Sequence, residues 1–308
     1  MDTLQNPGRA RFLRQTLALV GATAFGRNAS SQEPERRPAM NLRTIRSTGQ
    51  TLPVIGCGTW VGFDVAEGTL EFDALREVVR TLLAGGGTVL DSSPMYGRSE
   101  ATTGRILADQ PGKAFVATKV WTSGREAGIR QMEKSIELLG KVDLMQVHNL
   151  LDWKTHLPTL RQWKAEGRIR YIGVSHYTPG AYHELEAVLR AETLDFVQVN
   201  YAMDDREAEN RILPLAADRG IAVLVNRPFG GGGLLKRLGN RPLPDWARIV
   251  GVTSWSQLLL KFVLSHPAVT CAIPGTGNPR HMAENVEAGT GTFPDPGFWK
   301  ARIDGILA

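Results

Sequence analysis

The sequence predicts an α/β chain closed into a (β/α)8 barrel with an N-terminal β-hairpin, and three observations carry that prediction. From residue 41 onward a short apolar run, a polar loop and an amphipathic stretch recur about eight times in roughly 250 residues. The apolar runs are continuous, as in strands covered on both faces. The connections are short, and strands joined by single helices pair in parallel with right-handed crossovers. An open doubly wound sheet is the competing arrangement, but no G-x-G-x-x-G opens the first helix to support it.

"NLRTIRSTGQTLPVIGCG" reads as a hairpin turning at Thr48-Gly49, then a strand near residues 54–58. "DALREVVRTLLAGG" places apolar residues at three-and-four spacing and stops in glycines, which predicts a helix. "GTVLD" is the next strand and "SEATTGRILADQ" the next helix, with Ser99 as its cap. The alternation continues with "KAFVATKVW" and "GREAGIRQMEKSIELLG", then "VDLMQVHNL" and "THLPTLRQWKAEG". "IRYIGVSHY" pairs with "GAYHELEAVLRAE", and "DFVQVNY" with "REAENRILPLAADRG". After the strand "IAVLVNRPF" a long Gly/Pro-rich loop leads to the helix "SWSQLLLKFVLSH". "VTCAIPG" and "PRHMAENVEAG" complete the set, and the tail "TFPDPGFWKARIDGILA" is too short for a long substrate loop.

Residues 1–40 differ in kind from the barrel domain, residues 41–308. Arg9, Arg11 and Arg14 precede a mildly apolar run over residues 16–25 and then the polar "RNASSQEPERRP". That is the layout of an export signal, followed by a disordered linker. The run is too short to serve as a membrane anchor. Phe12-Leu13 follow the arginines as in a twin-arginine signal, although Ala10 separates Arg9 from Arg11. Export to the periplasm is the expectation, with a basic tail on a cytoplasmic protein as the alternative.

With 42% hydrophobic and 22% charged residues the composition is that of a soluble globular domain. The net charge is +5, but Lys and Arg alternate with Asp and Glu instead of gathering in one stripe, which argues against nucleic acid. A small anionic ligand suits the charge equally well. Cys57 and Cys271 lie in apolar runs and read as small buried hydrophobes. The absence of CxxC and HExxH spacing predicts no metal. A monomer is expected.

In such a barrel the active face is the C-terminal end of the strands. The polar residues there are Asp91 and Tyr96, Lys119, His148, Ser175-His176, Gln198 and Asn200, and Asn226-Arg227. Taken singly, Asp91 could be a helix cap and His148 a core histidine; four successive strand ends converging on one mouth are harder to explain that way. A tyrosine is a weak acid, with a reference pKa of about 10. Lys119 supplies an ammonium that favours the phenolate, Asp91 holds Lys119, and His148 can donate to an oxygen becoming an alkoxide. The set delivers a proton to a carbonyl oxygen and needs a cofactor for any redox step.

"LDSSPMYG", "ATKVW" and "QVHNL" resemble the three catalytic segments of the aldo-keto reductase family, and the likeness extends over residues from about 41 to 290. The opening hairpin and "GCGTW" match its N-terminus; "GVSHY", "FVQVNY", "NRPFGGGGL" and "IPGTGNPRHMAEN" match its cofactor segments. The resemblance implies reversible carbonyl reduction with NADPH, or secondly NADH, on a small aldehyde or ketone, with Tyr96 as proton donor. It implies that Ser175, His176 and Gln198 hold the nicotinamide carboxamide. The glycine loop from Gly230 and Gly231, with Phe229 and Leu234, would cover the pyrophosphate. Thr276, Arg280, His281, Glu284 and Asn285 would sit at the adenosine end, and Trp60, Met95 and Trp121 would wall the substrate pocket. Three positions depart from the family pattern. His176 replaces an asparagine, and Asn226-Arg227 stand where an aromatic stacks on nicotinamide. Gly275 and His281 replace the lysine and arginine that meet a 2′-phosphate. A cofactor-binding sensor or partner subunit is a second reading, opposed by the intact quartet. A metal-dependent hydrolase is a third, opposed by too few ligands.

Overall fold

The computed structural model describes residues 39–308. The segment read as an export signal and linker, residues 1–40, lies outside them apart from its last two residues. Strands β1 (Leu42–Thr44) and β2 (Thr51–Pro53) pair antiparallel with Leu42 opposite Pro53. They turn where expected, the Gly49 N–H donating to the Ile45 carbonyl at 2.9 Å.

Eight strands and their helices follow in alternation. They are β3 (Cys57–Gly58), α1 (Leu70–Ala84), β4 (Val89–Asp91), α2 (Ser99–Ala108), β5 (Phe115–Val120) and α3 (Arg125–Leu139). Next come β6 (Leu144–His148), α4 (Trp153–Ala165), β7 (Tyr171–His176), α5 (Tyr182–Ala191), β8 (Phe196–Asn200) and α6 (Ile212–Arg219). The last turns are β9 (Ala222–Asn226), α7 (Gly233–Leu238), α8 (Trp255–Ser265), β10 (Val269–Ala272) and α9 (Pro279–Ala288). Strands β3 to β10 pair in sequence order, each with the next and all in parallel. The ring closes where Gly56 N donates to Ala272 O and Ala272 N to Val54 O, both at 2.9 Å. The single strand expected over residues 54–58 is therefore divided, its first half serving β10 and its second half β4.

The apolar runs separate into two faces with the period of two that a strand imposes. Leu90, Val116, Val147, Val174, Val197 and Val225 point outward and pack beneath the helices. Val89, Phe115, Leu144, Tyr171, Phe196 and Ala222 open their strands and point inward, where Ile45 and Leu52 of the hairpin cover them. The rings of Phe115, Tyr171 and Phe196 stand 5.4 to 5.9 Å apart and plug this end of the barrel. The same inward parity, carried two or four residues further along, brings Asp91, Lys119, His148, Ser175, Gln198 and Asn226 to the opposite end.

Three local expectations change. Ser99 does not cap α2: Arg98 is the cap residue, and the buried Ser99 hydroxyl instead donates to the Thr59 carbonyl at 3.2 Å. The glycine-rich loop before α8 contains α7 and a 3-10 turn over Asp245–Val250. The tail folds into α10 (Pro296–Lys300) and α11 (Ile303–Leu307), because Trp299, Ile303 and Ile306 have core to cover. Among the described residues no helix is long and apolar enough to cross a membrane.

Helices α2 and α3 touch at Gly104, where a Cβ would overlap the Leu138 carbonyl oxygen. Replacing a helix-interior glycine by alanine ordinarily stabilises by about 1 kcal/mol. Here the clash with rigid backbone outweighs that gain, and Gly104→Ala is expected to destabilise the fold by about 1–3 kcal/mol. Urea unfolding of the two proteins checks this; a more stable variant would contradict the packing.

Candidate active site

Asp91 ends β4 and Lys119 lies one residue from the end of β5, both buried. Lys119 Nζ donates to Asp91 Oδ2 at 2.7 Å and to the Ser92 carbonyl at 2.6 Å. Gln198 Nε2 donates to Asp91 Oδ2 at 3.0 Å and Gln146 Nε2 to Oδ1 at 3.3 Å. Burial alone would push the Lys119 ammonium down; the negative groups around it, Asp91 first, outweigh that, and its pKa lies above the ordinary value. The ion pair is held by three further groups, Ser92 O, Gln198 and Gln146.

The chain leaves β4 in a tight turn, Tyr96 N donating to Ser93 O at 3.0 Å with Pro94 at the position where its fixed φ suits the bend. That turn lays the Tyr96 ring over Lys119, whose Nζ is 5.3 Å from the ring centroid. Burial raises the Tyr96 pKa, Lys119 lowers it, and burial wins. The expectation that the ammonium favours phenolate is thus outweighed by desolvation. The resting group is a neutral phenol that holds a proton to give.

His148 ends β6, its ring edge-on to Tyr96 with centroids 6.0 Å apart. Burial, then Lys119, pushes its pKa down to about 3, so the imidazole is neutral. The backbone beyond it is bent hard: Asn149, Leu150 and Asp152 have φ of 53°, 55° and 50°, left-handed values that non-glycine residues adopt at a cost.

Asp91, Tyr96, Lys119 and His148 all face one cavity of about 1150 Å³, large beside the roughly 300–1,000 Å³ of ordinary ligand pockets. Trp60, Met95 and Trp121 line it, each at least 40% exposed, so its mouth is apolar. Ser175, Gln198, Asn226, Arg227, Phe229 and Gly231 line it further in. Thr276, His281, Glu284 and Asn285 line its far end.

Five residues named from the sequence stand elsewhere. His176 follows the inward Ser175 and faces the other way by strand alternation; its Nδ1 accepts the Thr178 N–H at 3.1 Å while Tyr177 turns into the cavity. Leu234 is buried in the outer core, and Leu235 lines the wall in its place. Gly230 sits against the Asp204 carboxylate, leaving Gly231 and Gly232 to the cavity. Arg280 is exposed at the start of α9, outside the cavity wall. Asn200, one inward step beyond Gln198, binds Tyr182 and Asp205 and leaves the cavity to Asn226.

The sequence reading missed Gln146, although it lies two residues before His148 on the same face. It also missed Glu100, a buried carboxylate that accepts from Thr118 Oγ1 at 2.5 Å and Ser135 Oγ at 3.1 Å. Tyr177, the last residue of "GVSHY", and Arg241, which no motif marks, line the cavity too.

The residues present fit a nicotinamide dinucleotide. With Gln198 Nε2 committed to Asp91, its Oε1 is buried without a partner among the described residues, as is Ser175 Oγ. A buried polar atom left so costs about 1–3 kcal/mol, and a carboxamide offers both a donor and an acceptor to relieve it. Farther along, Gly230, Gly231 and Gly232 hold φ of 59°, 67° and 93° in succession, which only glycine adopts freely. Within the turn Gly230 N donates to Arg227 O and Gly232 N to Phe229 O, both at 3.0 Å, so what the glycines offer a pyrophosphate is close approach of backbone without side chains. Asn285 Oδ1 is likewise buried and unpartnered at the far end. Among the described residues no cluster of His, Cys, Asp or Glu suits a metal ion.

Fold and site together define a barrel in which a tyrosine lies against a buried lysine–aspartate pair at the wall of one large cavity. The model of the aldo/keto reductase family matches residues 54–300, and the chain belongs to that family. It is 28% identical over 254 residues to the NADH-specific methylglyoxal reductase of Escherichia coli, covering 71% of this chain and 76% of that one. It is 23% identical to the pyridoxal 4-dehydrogenase of Microbacterium luteolum, over 88% and 99% of the two chains. A Klebsiella pneumoniae aldo/keto reductase solved with NADP and acetate matches 85% of this chain and 94% of its own, with TM-score 0.72 and 25% identity.

The depressed pKa of His148 makes stability depend on pH in a definite direction. Its folded value, about 3, lies below the ordinary 6.5, so between them the unfolded chain binds more protons. The neutral ring's contribution is complete above about 6.5 and is lost as pH falls toward 3. His148→Gln removes this term. Urea unfolding across that window is expected to show the native chain losing stability more steeply than the variant; equal slopes would contradict the burial.

Proposed function

We propose that the chain reduces an aldehyde or ketone to an alcohol with NADPH, or secondly NADH, and that Tyr96 supplies the proton. The observation that carries this reading is the buried Lys119 ammonium, bound to Asp91 at 2.7 Å on one side and lying against the Tyr96 ring on the other. A solved neighbour binds NADP, and a curated relative is named NADH-specific, so both cofactors have precedent among similar proteins.

Bound nicotinamide would supply a hydride to the carbonyl carbon. Ser175 and Gln198 would hold its carboxamide, and Gly231 with Gly232 its pyrophosphate. The neutral Tyr96 O–H gives its proton to the carbonyl oxygen as negative charge develops there. The phenolate left behind faces Lys119, whose charge stabilises it, and Asp91 keeps that ammonium in place. His148 donates a hydrogen bond to the same oxygen, a fixed dipole that needs no rearrangement during the reaction. The apolar mouth formed by Trp60, Met95 and Trp121 excludes water and strengthens each of these electrostatic contacts. In the reverse direction Tyr96 accepts the alcohol proton.

Removing a positioned acid costs about 10²–10⁴ in rate. Tyr96→Phe is expected to lose turnover on a panel of aldehydes and ketones by that order. It should bind NADPH and NADH as the native chain does in a fluorescence titration. Full turnover in the variant would overturn the acid assignment, and failure of the native chain to bind either cofactor would overturn the reading.

A further inference from the structure

A neutral imidazole carries its proton on one nitrogen and accepts on the other, and only one of the two forms lets His148 donate toward the cavity. Its Nδ1 lies 3.0 Å from Ser93 Oγ, with both side chains buried. The direction of that hydrogen bond therefore decides the tautomer. Among the described residues, the other polar group near Ser93 Oγ is the Met95 N–H at 3.5 Å, which can only donate. A hydroxyl that accepts the Met95 N–H bond still has its own hydrogen to donate, and among the described residues the acceptor within hydrogen-bond distance is Nδ1. Nδ1 is then an acceptor, and the ring proton stands on Nε2. Nε2 has no protein partner among the described residues, and the ring lines the cavity between Tyr96 and Trp121.

We propose that Ser93 is a positioning residue that locks His148 in the Nε2–H form, so that the imidazole presents a donor to the substrate oxygen. Its purpose rests on the carbonyl-reduction reading; the lock itself does not. Without the Ser93 hydroxyl the proton is free to occupy Nδ1, which turns a lone pair on Nε2 toward the lone pairs of the carbonyl. The segment that shapes Tyr96 would thus also set the second group of the site, Ser93 through its side chain and Tyr96 through the turn that Ser93 O closes.

Long-range proton–nitrogen NMR of the full chain, labelled at histidine nitrogens, reads the tautomer directly. The His148 signal is identified by its loss in His148→Gln. The native spectrum should show Nε2–H, Ser93→Thr should preserve it, and Ser93→Ala should show Nδ1–H or a mixture. Carbonyl turnover should fall about tenfold in Ser93→Ala, the order expected for one orienting hydrogen bond, with the cofactor dissociation constant unchanged. A native Nδ1–H spectrum, or an unmixed Nε2–H spectrum in Ser93→Ala, overturns the proposal; the native spectrum decides even if the alanine variant does not fold. The expected tautomers in a chain without carbonyl turnover support the lock and count only against the proposed function.

Discussion

The site depends on keeping one ammonium and one carboxylate charged while both are buried inside the barrel. Moving either ion out of water costs several kcal/mol even after relaxation, and only close geometry with further hydrogen bonds offsets it. Lys119 and Asp91 meet that condition at 2.7 Å, with Ser92 O accepting from Lys119 and Gln146 and Gln198 donating to Asp91. Lys119 has three N–H donors, two of which are accounted for by Asp91 and Ser92, so the third is available on the Tyr96 side. The pair sets the electrostatic potential that Tyr96, His148 and any bound carbonyl oxygen experience.

The barrel builds this arrangement from strand parity. Each inward position at the hairpin end is apolar, and inward positions farther along the same strands are polar. The aromatic plug of Phe115, Tyr171 and Phe196 supplies the apolar burial that fixes each strand in register. A shift of one residue would replace Lys119 of β5 with Thr118 or Val120, or Gln198 of β8 with Val197 or Val199, which explains why packing at one end controls chemistry at the other.

The sequence made the barrel legible because its helices end in glycines and its strands are short, continuous apolar runs. The quartet was legible because barrel geometry gives strand ends a common centre. What stayed hidden required knowing which face each residue takes. His176 is polar and lies at a strand end, yet the chain turns it outward and brings Tyr177 in. Gln146 lies inside an apolar run, where a search of strand ends does not look. Ser93 stands in the most prominent motif of the chain, but its contact with His148 joins residues 55 apart in sequence. Arg280, next to His281 in sequence, is expected at the adenosine end, but it stands exposed at the start of α9, outside the cavity wall.

The central claim is that this constellation serves transfer of hydride to a carbonyl carbon, with the protein handling only the proton. Its most direct measurement is a single turnover with cofactor deuterated at the transferring carbon of the nicotinamide, followed by mass and NMR analysis of the alcohol. One deuterium is expected on the former carbonyl carbon, with a hydroxyl proton exchangeable with solvent. An alcohol whose new carbon-bound hydrogen comes from solvent, or no alcohol from any carbonyl with either cofactor, would contradict it.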